Sequence, residues 1–193
     1  MKIVAPSVDL VDIINAEEIL LKIERCGRVC YQSEPKGNPE SFIRMLIKRG
    51  HESVLEHASL TFHIICDRAI LAELTRHRLC AFSVESTRYV KYDELTVINN
   101  PFLVDNQEDI VYPLEDEYTR LLAAGHPPEI ARAVLPLCLK TELYMTANLR
   151  EWRHILKLRT AKAAHPQMRE VANMILAVFK NKLPVIVEDI SND

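Results

Sequence analysis

Glycine is nearly missing, with four residues in 193: Gly27, Gly37, Gly50 and Gly125. None belongs to a GxGxxG or to a GxxxxGK followed by Ser or Thr, so the backbone phosphate cradles of Rossmann and P-loop proteins are excluded. Cysteine is present without arrangement: Cys26, Cys30, Cys66, Cys80 and Cys138 are odd in number and include no CxxC. That opposes a disulfide framework and a zinc ribbon and fits reduced thiols, so the cytoplasm is the expected compartment. No apolar run approaches the roughly 18–20 residues that span a bilayer, and no membrane partner is expected. The start, MKIVAPSVDL, has one lysine and no long apolar stretch, so no signal peptide is expected. A basic surplus is also missing. The net charge of −3 argues against a protein held to nucleic acid by displaced counterions. Any phosphate this chain binds must be held largely by side chains.

What is present reads as one domain over 1–193. KIVAP is a short first strand. Ile19, Ile23, Cys26 and Cys30 recur at helical spacing behind Asn15, which predicts a capped helix over 16–30. Asn38-Pro39 starts a second helix that Gly50 stops. Residues 57–66 alternate, with Ala58, Leu60, Phe62, Ile64 and Cys66 on one side and His57, Ser59, Thr61, His63 and Ile65 on the other. That is a strand. Asp67 can cap a helix over 68–78, whose last turn holds Arg76, His77 and Arg78; residues 79–86 read as looser and 87–97 as extended. Residues 99–112 read as loop and helix start. Pro113 opens a helix closed by Gly125, and Pro128 opens another over 128–135. Residues 137–147 alternate again as a strand. Asn148 caps a helix over 149–159 with Glu151 in the capping-box position, and Pro166 opens a last helix to about 182. Strands and helices do not alternate regularly, so the expected class is α+β: helices packed on a small, largely antiparallel sheet.

Two polar stretches stand out. HESVLEH places His51 and His57 six residues apart, not at the i, i+4 spacing that brings two imidazoles to one helical face. A metal held by His51, His57 and His63, as in a metal-dependent phosphohydrolase, is one reading. The blander one is a helical turn with Ser53-x-x-Glu56 as its capping box. RHRLCAFSVESTRY brings Arg76, Arg78, Ser86 and Arg88 into one stretch. Cations are favoured at a helix C-terminus, but that accounts only for Arg76 and Arg78, not for Ser86 and Arg88. Arginine binds phosphate in fork geometry, so the cluster is a candidate nucleotide site or, on another reading, a nucleic-acid-binding module. Arg132 and Arg159 sit near helix ends among apolar residues, and Arg150 and Arg153 are expected to be half solvent-facing.

Arg76-His77-Arg78, seven residues and then Ser86 form an RHR-x7-S pattern continued by Arg88-Tyr89, which resembles the motif of the flavin-dependent thymidylate synthases. GHESVLEHASLTFHI before it, and EIARAVLPLCL, TANLREW and LKLRT after it, resemble further blocks of that family in the same order, over roughly 45–180. The resemblance implies an FAD-containing homotetramer with active sites shared between subunits. It implies conversion of dUMP to dTMP, with 5,10-methylenetetrahydrofolate as the one-carbon donor and NADPH as reductant. No metal and no nucleic-acid partner is implied. None of the five cysteines lies in an activating context, which suits this chemistry and not that of the folate-only synthases.

The resemblance also implies site roles. Ser53, Arg76, His77, Arg78, Leu79 and Val84 would contact FAD, the RHR stretch around its phosphates, and Asn148, Leu149, Arg150 and His154 would face the flavin. Glu73, Leu74, Thr75 and Arg76, with Val84, Glu85, Ser86, Thr87 and Arg88, would surround dUMP; Ser86 and Arg88 would donate to its phosphate. Arg132 would add a further contact. Arg159 would be catalytic, stabilising the uracil as N3 ionises. Glu73 replaces the Gln of many members. A carboxylate cannot donate to a uracil carbonyl, so an ion pair to Arg76 or His77 is expected there instead. Ser83-Val84 replaces Asn-Glu, which leaves only backbone contacts at Val84.

Overall fold

The computed structural model describes residues 1–35, 37–102 and 107–191; positions 103–106 of the predicted loop lie outside the described residues. Strand order β2-β3-β6-β4 forms a four-stranded antiparallel sheet, from Ser7–Leu10, Ser59–Asp67, Lys140–Asn148 and Cys80–Val84. A two-stranded sheet pairs β1 (Lys2–Val4) with β5 (Thr96–Ile98) in parallel, Ile3 opposite Val97. The expected α+β class with a largely antiparallel sheet is what forms. By its packing the chain divides into two compact units, the first of Met1–Ser7, Ile64–Arg76 and Phe82–Tyr144, the second of Val8–His63, His77–Ala81 and Met145–Asp193.

In the first unit, helices α3 (Arg68–Leu74), α4 (Gln107–Ala123) and α5 (Pro128–Ala131, running into a 3-10 turn at Arg132–Val134) accompany the strands. Leu95, Val97, Val111, Tyr118, Ala131 and Leu139 form its apolar core. Asp67 caps α3 by accepting from the Ile70 N–H at 2.7 Å, as expected. The helix stops at Leu74, however, and does not continue to Arg78. The Thr75 hydroxyl donates back to the Leu71 and Ala72 carbonyls, which ends the turn. The RHR stretch is therefore not a helix terminus, and residues 80–84 pair as an edge strand where a looser segment was expected. Of the predicted extended 87–97, only β5 forms; residues 86–90 make a turn, with the Tyr89 and Val90 N–H groups on the Ser86 carbonyl. Helix α4 starts before Pro113, because the Gln107 side chain anchors it to the Ile98 carbonyl and the Asn100 N–H.

The second unit holds α1 (Ala16–Tyr31), α2 (Pro39–Lys48), a 3-10 helix (Glu52–His57), α6 (Leu149–Arg159), α7 (Pro166–Lys182) and α8 (Pro184–Val187). Asn15, Asn38 and Asn148 cap α1, α2 and α6 with their side chains, as the sequence predicts. Phe62, Trp152 and Phe179 stack at its centre, with Phe62 edge-on to Trp152 at 5.0 Å. The Trp152 indole N–H reaches the Leu60 carbonyl at 3.0 Å, so the ring is buried without a stranded donor.

Two expectations fail in this unit. Ser53 lies inside the 3-10 helix instead of capping it, and the Glu56 carboxylate takes Arg150. Arg153 is 1% exposed, not half solvent-facing. Its guanidinium donates to Glu52, to both Asp189 oxygens and to the Ile186 carbonyl, which satisfies a charge that could not otherwise be buried.

Two stability tests come from this packing. A Cβ on Gly27 would meet Phe42 Cε1 at 2.7 Å and Leu46 Cδ1 at 3.1 Å. Gly27→Ala gains helix propensity but overpacks the contact, so a net loss of about 1 kcal/mol is expected in urea unfolding. Arg153→Met removes the cation that two carboxylates face, with an expected cost of about 2–3 kcal/mol. The Arg153 hydrogen bond pulls the Asp189 carboxyl from 3.8 to about 2. A depressed carboxyl stabilises the fold above its unfolded pKa and loses that contribution as pH falls through its folded one. Wild-type stability should therefore fall between about pH 4 and 2. In Arg153→Met this part of the acid slope should flatten, as measured by denaturation at stepped pH.

Candidate active site

Helix α6 builds one wall of a cleft of about 680 Å³ in the second unit. Leu79, Asn148, Arg150 and His154 line it, with Glu52, Glu56, Glu151, Arg153 and Lys157. The Asn148 amide oxygen accepts from the Glu151 N–H at 2.8 Å, so its NH2 is the end left to offer a ligand. Arg150, His154 and Lys157 lie one helical turn apart, a stripe of donors on one face. Leu149, the next expected contact, is buried and could reach a ligand only through its backbone. Ser53 lines a neighbouring cavity of about 310 Å³, with Gly27, Cys30, Tyr31 and His51. That cavity shares Glu52 and Arg150 with the cleft. There the Tyr31 hydroxyl meets His51 Nδ1 at 2.9 Å.

The far end of α6 carries Arg159, whose Nε–H donates to His77 Nε2 at 3.0 Å. That bond fixes the tautomer: Nε2 keeps its lone pair and the proton sits on Nδ1. Burial, then the Arg159 and His154 charges, push His77 down to about 4, so the ring is neutral at physiological pH. Glu151 lies 3.7 Å from Nδ1, too long for a hydrogen bond. His77 is thus enclosed and engaged by Arg159.

Ligand atoms of His77, Glu151 and His154 lie within 4.8 Å of one another, the one such group among the described residues. A cation on His77 Nδ1 would force the proton onto Nε2, against the Arg159 N–H and beside a permanent positive charge. The donor set therefore opposes a metal. His51, His57 and His63 form no such group among the described residues, which removes the phosphohydrolase reading.

The first unit carries the other predicted set. The Ser86 hydroxyl accepts from the Arg88 N–H at 3.3 Å, the Arg88 Nε donates to Glu129 at 2.8 Å, and Arg132 reaches the Thr87 hydroxyl at 3.4 Å. Ser86, Thr87, Arg88 and Arg132 are thus gathered at one turn. Leu74 is buried and the Thr75 hydroxyl is engaged by its own helix, so neither offers a side chain to a nucleotide. Arg76, Arg78 and Val84 are exposed, and the Glu85 side chain points into an ion-pair network. Sequence reasoning missed Glu52, Glu56 and Lys157. Only Lys157 left a signal, its place on the stripe with Arg150 and His154.

The family model described as thymidylate synthase complementing protein matches residues 10–185. A probable flavin-dependent thymidylate synthase of Mycobacterium phage L5 is 37% identical over 191 residues, 86% of this chain and 79% of the relative. The flavin-dependent thymidylate synthase of Mycobacterium avium (strain 104) is 35% identical over 194 residues, 86% of this chain and 78% of that protein. Among solved structures, the UMP/dUMP methylase PolB from Streptomyces cacaoi, bound with 5-Br dUMP, superimposes with a TM-score of 0.86. Its identity is 27%, over 97% of this chain and 96% of that one. With the motif order, the fold and these relatives in agreement, the chain belongs to the thymidylate synthase complementing protein family, that of the flavin-dependent thymidylate synthases.

Proposed function

We propose that this chain methylates dUMP to dTMP, taking the one-carbon unit from 5,10-methylenetetrahydrofolate and reducing equivalents from NADPH by way of FAD. Residues 1–193 act as one functional domain, in a homotetramer of the cytoplasm. Among the described residues no helix is long and apolar enough to cross a membrane. The observation that carries the reading is the cleft beside α6, where four positions the family resemblance gives to the flavin, Leu79, Asn148, Arg150 and His154, line one cavity. The relative PolB, a UMP/dUMP methylase with 5-Br dUMP bound, supports dUMP as the substrate.

The residues present fit a flavin nucleotide. The cleft volume of about 680 Å³ lies within the range of ligand sites. Its rim offers N–H donors from Asn148, Arg150, His154 and Lys157, suited to ring carbonyls and phosphates. Leu79 is 73% exposed, an apolar surface that a ring system would cover. When bound, the flavin supplies the hydride chemistry.

The chain's own residues bind and polarise. Ser86, Thr87, Arg88 and Arg132 would take the dUMP phosphate, with Arg88 leaving Glu129 for a stronger anion. Arg159 stays charged at any working pH, so it cannot remove a proton. It would instead stabilise the uracil anion, which raises the nucleophilicity of C5. His77 holds the Arg159 Nε, and because its ring is neutral above about pH 4, it can accept that bond throughout the physiological range.

The purified protein should be yellow, with a flavin spectrum that NADPH bleaches; a colourless protein that takes up no FAD would sink the proposal. Arg159→Ala should keep its flavin and lose dTMP formation by roughly 10²–10³-fold in a tritium-release assay with dUMP labelled at C5. Full turnover of that variant would remove Arg159 from the activating role.

A further inference from the structure

Glu85 immediately precedes the turn that gathers Ser86, Thr87 and Arg88, and every polar group it has is engaged. Its N–H donates to the Glu142 carbonyl at 2.9 Å, and its carbonyl accepts from Arg68 Nη2 at 3.0 Å. Oε1 accepts from the Tyr92 hydroxyl at 2.5 Å and Oε2 from Lys140 Nζ at 3.0 Å. Lys140 is held from its other side by Glu142 at 3.0 Å. The Glu85 side chain is 13% exposed and that of Lys140 22%, so these contacts are shielded from solvent. Tyr92 is anchored in turn: its N–H donates to the hydroxyl of Tyr118, a buried core residue, at 3.3 Å.

One carboxylate therefore ties residue 85, just before the turn, to residue 92, just after it. The closed segment is short, and a clamp across a short loop removes most of its freedom to reorient. The tie also persists. Burial and the Glu85 hydrogen bond raise the Tyr92 phenol above its ordinary range, so it remains a donor. A cavity of about 380 Å³ lies against the clamp, lined by Glu85, Tyr92 and Lys140 among others, so a loosened turn has room to shift. Glu85 itself is a poor phosphate ligand: its side chain is anionic, and its one N–H is already committed.

We propose that the Glu85–Tyr92 clamp, braced by Arg68 and Lys140, is a positioning device that holds Ser86 and Arg88 in the arrangement that binds a phosphomonoester. This rests on the assignment of Ser86 and Arg88 to the dUMP phosphate. Its signature is selective. Loosening the clamp weakens recognition of the phosphate and leaves recognition of the nucleoside alone.

The test is calorimetric binding of dUMP and of deoxyuridine, which lacks the phosphate, to the FAD-loaded protein. Tyr92→Phe should weaken dUMP binding on the order of five- to tenfold, the scale of one charge-assisted hydrogen bond, and leave deoxyuridine binding as in the wild type. Glu85→Ala should likewise weaken dUMP binding, and the double variant should bind dUMP no more weakly than the worse single one, since both changes open one clamp. Equal losses for both ligands, unchanged dUMP affinity or additive single effects would each overturn the clamp. Should Glu85→Ala fail to fold, Tyr92→Phe, which keeps the ring, decides the matter alone. A wild type that binds dUMP no better than deoxyuridine would instead refute the phosphate role of this turn, and the clamp with it.

Discussion

A guanidinium removed from water must be surrounded by acceptors, and the second unit is arranged around one that is. Arg153 sits on the inner face of α6 and draws in Glu52 from the 3-10 helix, and Asp189 and the Ile186 carbonyl from the C-terminal segment. An apolar residue there could stabilise as well, but it would not fix the rotation of the helix as five directed bonds do. With that rotation fixed, Arg150, His154 and Lys157 must project along the cleft. Trp152, next in sequence, fixes the same helix from its apolar side through the Leu60 carbonyl.

At the end of the same helix another arginine meets a base: Arg159 donates its Nε–H to His77. A neutral imidazole accepts the Nε–H without adding a charge of its own. The dryness of the His77 site is what keeps the imidazole neutral. Arg153 and Arg159, on one helix, thus meet different partners, a pair of carboxylates for the first and an imidazole for the second.

Much of this was legible in the sequence. The Asn caps at 15, 38 and 148 each left a strong local pattern, and the alternation from Ala58 to Cys66 gave the central strand and its buried face. Errors fell where tertiary contacts overrule local preference. Residues 75–78 have helix-compatible side chains, yet Thr75 ends the helix by bonding back to the Leu71 and Ala72 carbonyls. Pro113 looks like a helix start but lies within α4, because Gln107 is anchored from outside the helix. In the candidate site, Asn148, Arg150 and His154 are named by the family resemblance, and helical spacing adds Lys157 to them. The acids that meet them could not be placed in this way: Glu52 and Glu56 are ordinary polar residues until the fold brings Arg153 and Arg150 to them.

The scarcity of glycine acquires a different sense once the packing is known. Three of the four, Gly37, Gly50 and Gly125, hold backbone conformations at positive φ, and the fourth, Gly27, has no room for a methyl group. In that last place the Phe42 ring is confined between the bare helix surface and the guanidinium of Arg28, which lies 3.9 Å from its centroid. The chain therefore carries no spare glycine. Three of the four are set by the handedness of the backbone, and Gly27 by two side chains, Phe42 and Leu46, that would have to shift to admit a methyl group.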